Sequence, residues 1–381
     1  ESNHDAEWYG LMSLAEVMPL NALGVVSGRD DFAIGFDREA LREKLDFFCD
    51  PNNSDSSVAA RFSIKDAGGY ILSKRRKHVL GKPASSFIKS INYRPFDTRL
   101  VAYSRGFLTA DQNNIMKHLG YKASIAIATT RSVETGDFSH IFCTRVMMGH
   151  HFVSLKESNY AFPLYLQPGN EEDCLVLETK PVANISPAYI KKLKGVFQSG
   201  ESGPGTLPAG ISPEDIFNHA YAVIHSPAYR MRYAEFLRTD FPRIPITARR
   251  ELFRDLARLG SELVSLHLLE AHQLQTPIAR FSGPRNSFVD KVSWSNGTVW
   301  INNEQSIGFI GVSELVWCFR IGGYQVCKKW LDDRRKAGRA LTDDDILHYL
   351  KVITALSETI RLMSDIDAAI ELNGGWPKAF Q

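Results

Sequence analysis

The spacing of hydrophobic residues changes about halfway along the chain, and this change limits the folds that the sequence can adopt. Between residues 90 and 165 apolar and polar residues alternate, most clearly in SIAIAT at 124–129, which is typical of β-strands with one buried face. After residue 211 apolar residues recur at helical spacing, as in the leucines between Leu252 and Leu266. The sequence therefore predicts an α+β protein whose β-rich N-terminal part is followed by a mainly α-helical C-terminal part.

Helix-start signals support this division. Asp37 is predicted to be the N-cap of a helix that runs to about Phe48. Ser186, Ser212 and Ser226 each precede a proline, and this pair is typical of a helix N-cap followed by its first turn. We therefore expect helices to begin after each of these serines. Another is expected after Thr342, which has an aspartate three residues later.

Two segments outside the 90–165 region are also predicted as β-structure. Residues 8–36 contain apolar stretches on either side of the polar break 27–31, which predicts strand, glycine-containing loop and strand. Residues 288–303 interrupt the helical pattern, and Asn296-Gly297 suits a tight hairpin turn with positive φ angles. The helical part is therefore expected to contain a β-hairpin.

The domain boundaries follow from a stretch of turn-forming residues. Residues 198–210, QSGESGPGTLPAG, are rich in Gly, Pro and Ser and predict a linker or flexible loop. The predicted organisation is a β-rich part (1–168), a connecting segment (169–210) and a mainly helical part (211–381).

Composition narrows the class of protein. The chain has 381 residues, a net charge of +2 and five cysteines without a CxxC pair. A charge this small creates no global basic field, so any nucleic-acid binding must rest on local patches. The odd cysteine count indicates reduced thiols and a cytoplasmic location. No apolar run approaches the roughly 20 residues of a membrane span. Because the sequence begins ESNHDAEWYG without Met, we expect a fragment of a longer protein.

Residues 91–107, INYRPFDTRLVAYSRGF, are the strongest candidate for a binding surface. Arg94, Arg99 and Arg105 alternate there with tyrosines and phenylalanines. Guanidinium groups interleaved with flat rings suit a surface that grips phosphates and reads base edges. The alternative is a strand pair whose arginines face solvent or pair with carboxylates. Residue spacing alone does not decide between the two.

Further candidate DNA contacts are cations on loops and strand ends, with two residues at a glycine bend. For Arg29, pairing with Asp30 or Asp31 is the alternative, and for the basic run 74–78 it is a solvated helix face. Tyr324 and Gln325 follow Gly322-Gly323, a pair that lets another chain segment approach closely. The candidates outside 91–107 are Arg29, Arg75, Arg131, Arg145, Lys156, Tyr324 and Gln325.

Catalytic signatures are missing from the sequence. It has no Gly-rich turn ending in Gly-Lys-Ser/Thr, no GxSxG and no HExxH. A short match to the acidic-plus-lysine metal site of endonucleases occurs at Asp173, Glu178 and Lys180. Its spacing is too short, so a metal-dependent nuclease is a minor alternative. We therefore predict no catalytic residues and no metal ligands.

Several segments together resemble the C-terminal region of Type ISP restriction-modification enzymes. These enzymes join a nuclease, a translocase, an N6-adenine methyltransferase and a target recognition domain in one chain. The resemblance runs from about residue 8 to residue 377 in unchanged order. The segments that carry it are SLAEVMPLNALGVVSGRDDFAIGFD, INYRPFDTRLVAYSRGF, FPLYL, LPAGISPEDIFNHAYAVIHSPAYRMRYAEFLRTDFPRIP, WCFRIGGYQVCKKWLDDRR and LSETIRLMSDID.

The resemblance implies a target recognition domain that is not catalytic alone. Its β-rich part (1–168) would recognise double-stranded DNA, and its partners would be the methyltransferase and translocase domains of the parent chain. No cofactor is implied for this piece; S-adenosylmethionine, ATP and Mg²⁺ would serve the other domains. The alternative is a protein-interaction scaffold whose helical half docks on a methyltransferase or a translocase.

Overall fold

A computed structural model describes residues 3–168, 181–197 and 206–381. Helices account for 42% and strands for 18% of the structure, and the C-terminal region is helical, so the predicted α+β class is confirmed. The predicted nuclease residues Asp173, Glu178 and Lys180 lie outside the described residues, as do residues 198–205 of the predicted linker. The three-part domain division stays a prediction.

The first part contains short strands and several helices. Its strands are β1 (Met12–Ser13), β2 (Ala22–Leu23), β3 (Ile34–Gly35), β4 (Ile88–Arg94), β5 (Asp97–Ala102), β6 (Ala126–Thr130), β7 (Ile141–Thr144), β8 (Met147–Met148), β9 (Asn159–Pro163) and β10 (Tyr165–Leu166). Its helices are α1 (Asn3–Gly10), α2 (Leu14–Val17), α3 (Asp30–Ala33), α4 (Arg38–Cys49), α5 (Asp55–Phe62), α6 (Leu72–Arg76) and α7 (Asn113–Met116).

The remaining described elements are mainly helical. The helices are α8 (Pro187–Val196), α9 (Pro213–His225), α10 (Pro227–Arg232), α11 (Ala234–Leu237), α12 (Arg250–His267), α13 (Glu314–Cys318), α14 (Val326–Lys336) and α15 (Asp343–Leu372). The strands are β11 (Val182–Ala183), β12 (Arg243–Ile244), β13 (Arg280–Ser282), β14 (Ser293–Ser295), β15 (Thr298–Trp300), β16 (Gly308–Ile310), β17 (Arg320–Ile321) and β18 (Tyr324–Gln325).

Two four-stranded sheets form the framework of the first part. One has the order β3-β5-β4-β8 and the other β2-β9-β6-β7. All neighbours are antiparallel except β4 and β8, which run parallel. A parallel bridge between Val25 and Gly149 links the segments that follow β2 and β8. This bridge brings the loop after β2 close to the end of β4, where the predicted binding surface lies.

The predicted helix starts are confirmed where a side chain caps the helix. Asp37 accepts a hydrogen bond from the Ala40 amide, and α4 follows it directly. The serines before α8, α9 and α10 likewise accept bonds from amides in the first turn. Thr342 and Asp345 form a reciprocal capping box at the start of α15. Each cap satisfies amides that the first helical turn leaves without partners.

The predicted hairpin is also confirmed. β14 and β15 pair antiparallel across Asn296-Gly297, and both turn residues have positive φ, 48° and 74°. This is the geometry that the Asn-Gly pair favours. The hairpin belongs to a four-stranded sheet of order β13-β16-β15-β14, so the helical part contains more β-structure than the sequence predicted.

The prediction for residues 8–36 was wrong in part. The segment contains two-residue strands but also α1 to α3. Ser13 and Glu16 form a capping box that starts α2, a Ser-x-x-Glu signal that is visible in the sequence. A short helix with reciprocal caps needs no long amphipathic pattern, so the apolar residues alone suggested strands.

One hydrophobic core spans both parts. Phe142 of β7 lies 4.9 Å from the ring of Phe96 and stacks at 4.8 Å on His267 of α12. The β-rich part is therefore packed directly on the helical part, and side chains at their boundary are held by both. Within the helical part, Gly260 lets α12 approach α9 closely, because a Cβ there would lie 1.9 Å from the Asn218 carbonyl oxygen.

Candidate nucleic-acid interface

Two of the predicted cations lie at one aromatic ring, and the backbone of a third lies beside them. The guanidinium of Arg29 lies 3.4 Å from the centroid of the Tyr70 ring, and that of Arg75 lies 5.8 Å from it. Arg75 also donates a hydrogen bond of 3.3 Å to the Arg105 carbonyl oxygen. We call Arg29, Tyr70, Arg75 and Arg105 the Tyr70 cluster. Each of its residues comes from a different segment of the first part.

Local geometry explains why these segments converge. The Tyr70 hydroxyl donates to the Gly106 carbonyl at 2.7 Å, which ties its loop to the turn after β5. Arg75 reaches the same turn through a 3.4 Å bond to the Thr109 carbonyl. Val26 and Ala110 form an antiparallel bridge that holds the Arg29 loop beside it. The cluster therefore has a fixed backbone framework under its charged side chains.

The charges of the Tyr70 cluster are poorly compensated. Neither Arg29 nor Arg75 forms an ion pair within the described residues; their partners are the Tyr70 ring and backbone carbonyls. Burial lowers the pKa of Arg29, and the neighbouring charge of Arg75 lowers it further. Arg105 is largely exposed and has one carboxylate partner, Asp111, at 3.2 Å. The charge of Asp66 opposes the lowered pKa of Arg29, but two close guanidinium groups without an ion pair in the described residues still make a local positive site on a nearly neutral protein.

Arg94 lies in the interior. Its residue is 6% exposed, and its guanidinium donates to the carbonyls of Tyr93 and His151 at 2.6 and 3.0 Å. It also lies 3.9 Å from the centroid of the Tyr93 ring. The Nε atom is buried without a hydrogen-bond partner in the described residues. A base contact by Arg94 would require its side chain to leave these partners.

Arg99 belongs to a buried ion network between the two parts. Asp97 accepts from Arg99 at 2.7 Å and from Arg334 of α14 at 2.9 Å. Arg99 also reaches Asp333 at 3.2 Å, and Asp333 pairs with Lys329. Burial alone would raise the pKa of Asp97, but Arg334 and Arg99 hold it below its ordinary value. We call these five residues the Asp97 network.

The other predicted cations differ in how they are bound. Arg145 makes a bidentate pair with Glu270, with N–O distances of 2.6 and 2.9 Å. Arg131 is exposed and its Nε lies 3.8 Å from Oδ1 of Asp240. Lys156 is exposed, and its ammonium donates to the Thr135 hydroxyl at 3.4 Å. Arg145 is thus engaged within the protein, whereas Arg131 and Lys156 remain accessible.

Tyr324 and Gln325 are held by hydrogen bonds to the backbone. Tyr324 is 4% exposed, and its hydroxyl donates to the His151 carbonyl at 2.6 Å. Burial raises the pKa of this hydroxyl above its ordinary value. Gln325 donates to the Trp317 carbonyl at 2.7 Å. The preceding Gly322 has a φ of +54°, and a Cβ there would lie 2.0 Å from the Val153 carbonyl oxygen, so the close approach predicted for the glycine pair is made by the protein's own backbone.

A large cleft lies at the boundary of the two parts. Its volume is about 880 Å³, and it is lined by residues 135–140 and 154–157 of the first part and by α10, Arg238 and residues 320–324 of the helical part. Lys156 is one of its four cations. The other three were not predicted from the sequence, because isolated arginines in helical segments carry no pattern: Arg230, Arg238 and Arg320.

Among the described residues no group of three or more His, Cys, Asp and Glu is arranged to hold a metal ion. No helix in the described ranges has the length and hydropathy needed to cross a bilayer.

Comparison with known structures finds the same fold in larger proteins. A Type ISP enzyme titled "ATP-dependent Type ISP restriction-modification enzyme LlaBIII bound to DNA" matches with a TM-score of 0.70 and 19% identity over 96% of this chain. The DrdV-DNA complex matches with a TM-score of 0.68 and 19% identity over 96% of this chain. A nuclease-deletion mutant of the Type ISP enzyme LlaGI, with a DNA substrate mimic, matches with a TM-score of 0.64 and 17% identity over 94%.

The matched region is a fraction of each of these proteins. The chain spans 24% of the LlaBIII chain, 39% of the DrdV chain and 29% of the LlaGI chain. A search of curated proteins finds no match. A family model described as "Type ISP C-terminal specificity domain" matches residues 16–365, and the resemblance noted in the sequence is thereby confirmed. The chain belongs to the Type ISP C-terminal specificity domain family.

Proposed function

We propose that this chain recognises a specific sequence in double-stranded DNA as the target recognition domain of a restriction-modification enzyme. Its membership in a specificity-domain family supports this function. The three related structures were determined with DNA or a DNA mimic. The observation on this chain that carries the proposal is the Tyr70 cluster, in which two arginines form no ion pair with any residue of the described ranges.

The Tyr70 cluster suits contact with the DNA backbone. Phosphate contacts fix the position of a protein on a duplex, and arginine forks match phosphate oxygens in geometry and charge. Arg29 and Arg75 are held by a ring and by carbonyls, so little conformational freedom is lost when they bind. Arg105, Arg131 and Lys156 are accessible cations that we propose as further contacts.

The internally bonded candidates have a different proposed role. Arg94, Arg99, Arg145, Tyr324 and Gln325 all donate to protein carbonyls or carboxylates. We propose that they hold the two parts in the relative position that DNA binding needs. Their effect on recognition would then be indirect, through the shape of the surface.

Catalysis and its cofactors are assigned to other parts of the parent enzyme. We propose that a methyltransferase domain uses S-adenosylmethionine and flips the target adenine, and that nuclease and translocase domains use Mg²⁺ and ATP. The chain spans well under half of the related proteins, which leaves room for such domains in a parent of similar length.

Fluorescence anisotropy tests the DNA-binding proposal. Labelled 24-base-pair duplexes of random sequence are titrated with wild type, with the double variant Arg29→Ala/Arg75→Ala and with Arg280→Ala, between 50 and 200 mM salt. Arg280 is an exposed arginine on β13 and serves as the matched control. The slope of log affinity against log salt should fall by about 1.8 in the double variant, because each phosphate contact contributes roughly 0.9.

Selection from the same random pool then tests sequence specificity. Wild type should enrich a defined sequence, and the double variant should enrich the same sequence at higher protein concentration. Absence of salt-dependent binding by wild type would contradict the proposed function. A double variant whose salt slope equals that of Arg280→Ala would remove the Tyr70 cluster from the interface.

A further inference from the structure

The cleft at the boundary of the two parts contains a cation that the proposed function has not used. Arg230 lies on α10, and its Nε donates to the Ile224 carbonyl at 2.8 Å. It forms no ion pair with any residue that the structure describes. The nearby carboxylate of Asp367 accepts instead from the Ser226 hydroxyl and the Ala228 amide. Arg230 is therefore a fixed charge that lines an open cavity.

The surroundings of Arg230 keep it positively charged. Burial lowers its pKa to about 10, with Tyr221 and Asp367 opposing that shift, so the guanidinium is still protonated at neutral pH. A partly buried guanidinium without a carboxylate is costly unless it meets an anion. The cleft is open to solvent, which allows an external ligand to supply that anion.

The charges on the cleft lining favour an anionic ligand. Four cations line it: Lys156, Arg230, Arg238 and Arg320. Three carboxylates line it as well: Asp137, Glu157 and Glu235. Glu157 is already engaged, because it accepts from the Ser154 hydroxyl and the Glu134 amide and lies 3.7 Å from Nε2 of His140. These bonds leave the negative charge of Glu157 in place, so four cations against three carboxylates give the cleft a small net positive charge.

A continuous chain of contacts joins the cleft to the Tyr70 cluster. Tyr324 lines the cleft, and its hydroxyl and the guanidinium of Arg94 donate to the same carbonyl, that of His151. Arg94 lies over the Tyr93 ring, and the Tyr93 hydroxyl donates to Asp30 at 2.6 Å. Asp30 is adjacent in sequence to Arg29 of the cluster. The two positive sites therefore lie at the ends of one connected framework.

We infer that this cleft binds a phosphate of the DNA backbone through Arg230, so that the duplex contacts both the β-rich part and the helical part. The inference rests on the proposed DNA-binding function and adds a second backbone contact to the Tyr70 cluster. Lys156, Arg238 and Arg320 would hold the neighbouring phosphates. The apolar side chains of Leu155 and Met231, 54% and 77% exposed, would face the sugars.

An acidic peptide is the competing ligand, since apolar rim residues also suit a protein segment. The number of cations favours the phosphate backbone, which presents one charge per nucleotide along its length. Contact with both the cleft and the Tyr70 cluster would require an extended ligand such as a duplex, whereas a peptide carboxylate needs only one site.

The test compares salt slopes in the anisotropy assay with random 24-base-pair duplexes. Arg230→Gln removes the charge but keeps an amide of similar reach, and Arg280→Ala is the control. The slope should fall by about 0.9 in Arg230→Gln, and the loss should add to that of Arg29→Ala/Arg75→Ala. An Arg230→Gln protein with a wild-type melting curve and a wild-type slope would overturn the inference and leave the cleft to a protein ligand.

A second variant covers the case in which Arg230→Gln does not fold. Arg238→Ala/Arg320→Ala changes only exposed side chains on the cleft rim, and its slope should fall by up to about 1.8. An unchanged slope in this variant overturns the inference too. If the Tyr70 cluster variant lowers the slope while both cleft variants do not, the proposed function stands and this inference alone fails.

Discussion

The Tyr70 cluster and the Asp97 network place arginines in opposite settings. Arg29 and Arg75 rest on a ring and on carbonyls and have no ion-pair partner in the described structure. Arg99 is bound by two carboxylates and is nearly buried. All three arginines were predicted as DNA contacts, Arg99 from its charge among aromatic neighbours, Arg29 from its loop and Arg75 from a basic run. The carboxylates hold Arg99 inside the protein, whereas Arg29 and Arg75 are left available to a ligand.

One of the two carboxylate partners of Arg99, Asp333, lies far away in the sequence. Asp333 and Arg334 belong to α14 and meet Asp97 and Arg99 only because the helical part packs on β5. The Asp97 network therefore connects the two parts of the molecule, whereas the Tyr70 cluster joins loops within one part. Variants of Asp97 and Arg99 test this contrast.

The largest effect is expected for Asp97→Ala. Removing this carboxylate leaves Arg334 buried without its partner, and breaking a buried pair in this way costs about 3–5 kcal/mol. Urea unfolding should show a loss of that size. Asp46→Ala is the matched control, because Asp46 pairs with Arg42 on the exposed surface of α4 and should cost less than about 1 kcal/mol. Similar losses in the two variants would contradict the structural role of Asp97.

A smaller effect is expected for Arg99→Gln. Asp97 keeps Arg334 in this variant, so the loss should be about 1.5–3 kcal/mol, the range for a hydrogen bond to a charged group. At a temperature where the variant is fully folded, its salt slope for DNA binding should equal that of wild type. A slope reduced by about 0.9 would instead indicate a direct phosphate contact and would erase the contrast with Arg29.

The smallest effect concerns pH and the cleft. Burial lowers the pKa of His140 to about 4, although Glu157 opposes the shift. The unfolded chain therefore binds a proton at His140 below about pH 6.5 while the folded chain does not, so stability falls as pH falls from 6.5 towards 4. Between pH 6 and pH 5, His140→Gln should lose up to about 1.4 kcal/mol less than wild type.

Exposed His272 supplies the control for that comparison. Chemical unfolding at pH 7, 6 and 5 of wild type, His140→Gln and His272→Gln separates the contribution of His140 from that of other histidines. An identical pH dependence in all three proteins would show that His140 is protonated equally in the folded and unfolded chains.

The fold could be predicted where short-range chemistry determines it. Serine, threonine and aspartate caps located the starts of α4, α8, α9, α10 and α15, because a cap and its amide partner are three residues apart. Asn296-Gly297 located a hairpin for the same reason. The additional strands β13 and β16 were missed, since their pairing with the hairpin joins segments that are separated in sequence.

The candidate site was harder to predict than the fold. A loop position led to Arg29, a basic run led to Arg75, and charge with ring content led to Arg105; the structure brings these three segments together. Charge and ring content also led to Arg94, but this side chain donates to the His151 carbonyl inside the protein. Arg230 was not predicted at all, because its significance comes from an unfilled cavity between two parts of the chain. Long-range pairing and the shape of empty space are properties of the folded molecule.

Gly322 lies against the Val153 carbonyl, and this contact limits how recognition segments can be exchanged between related proteins. The Gly322 and Gly323 amides donate to the carbonyls of Ser139 and Val153 at 2.8 and 3.0 Å. The β17–β18 turn is therefore joined to the 139–154 region by direct backbone hydrogen bonds. A hybrid that takes one of these segments from a relative and leaves the other behind would push the halves apart. Grafts should carry both segments together, with crossover points placed outside them.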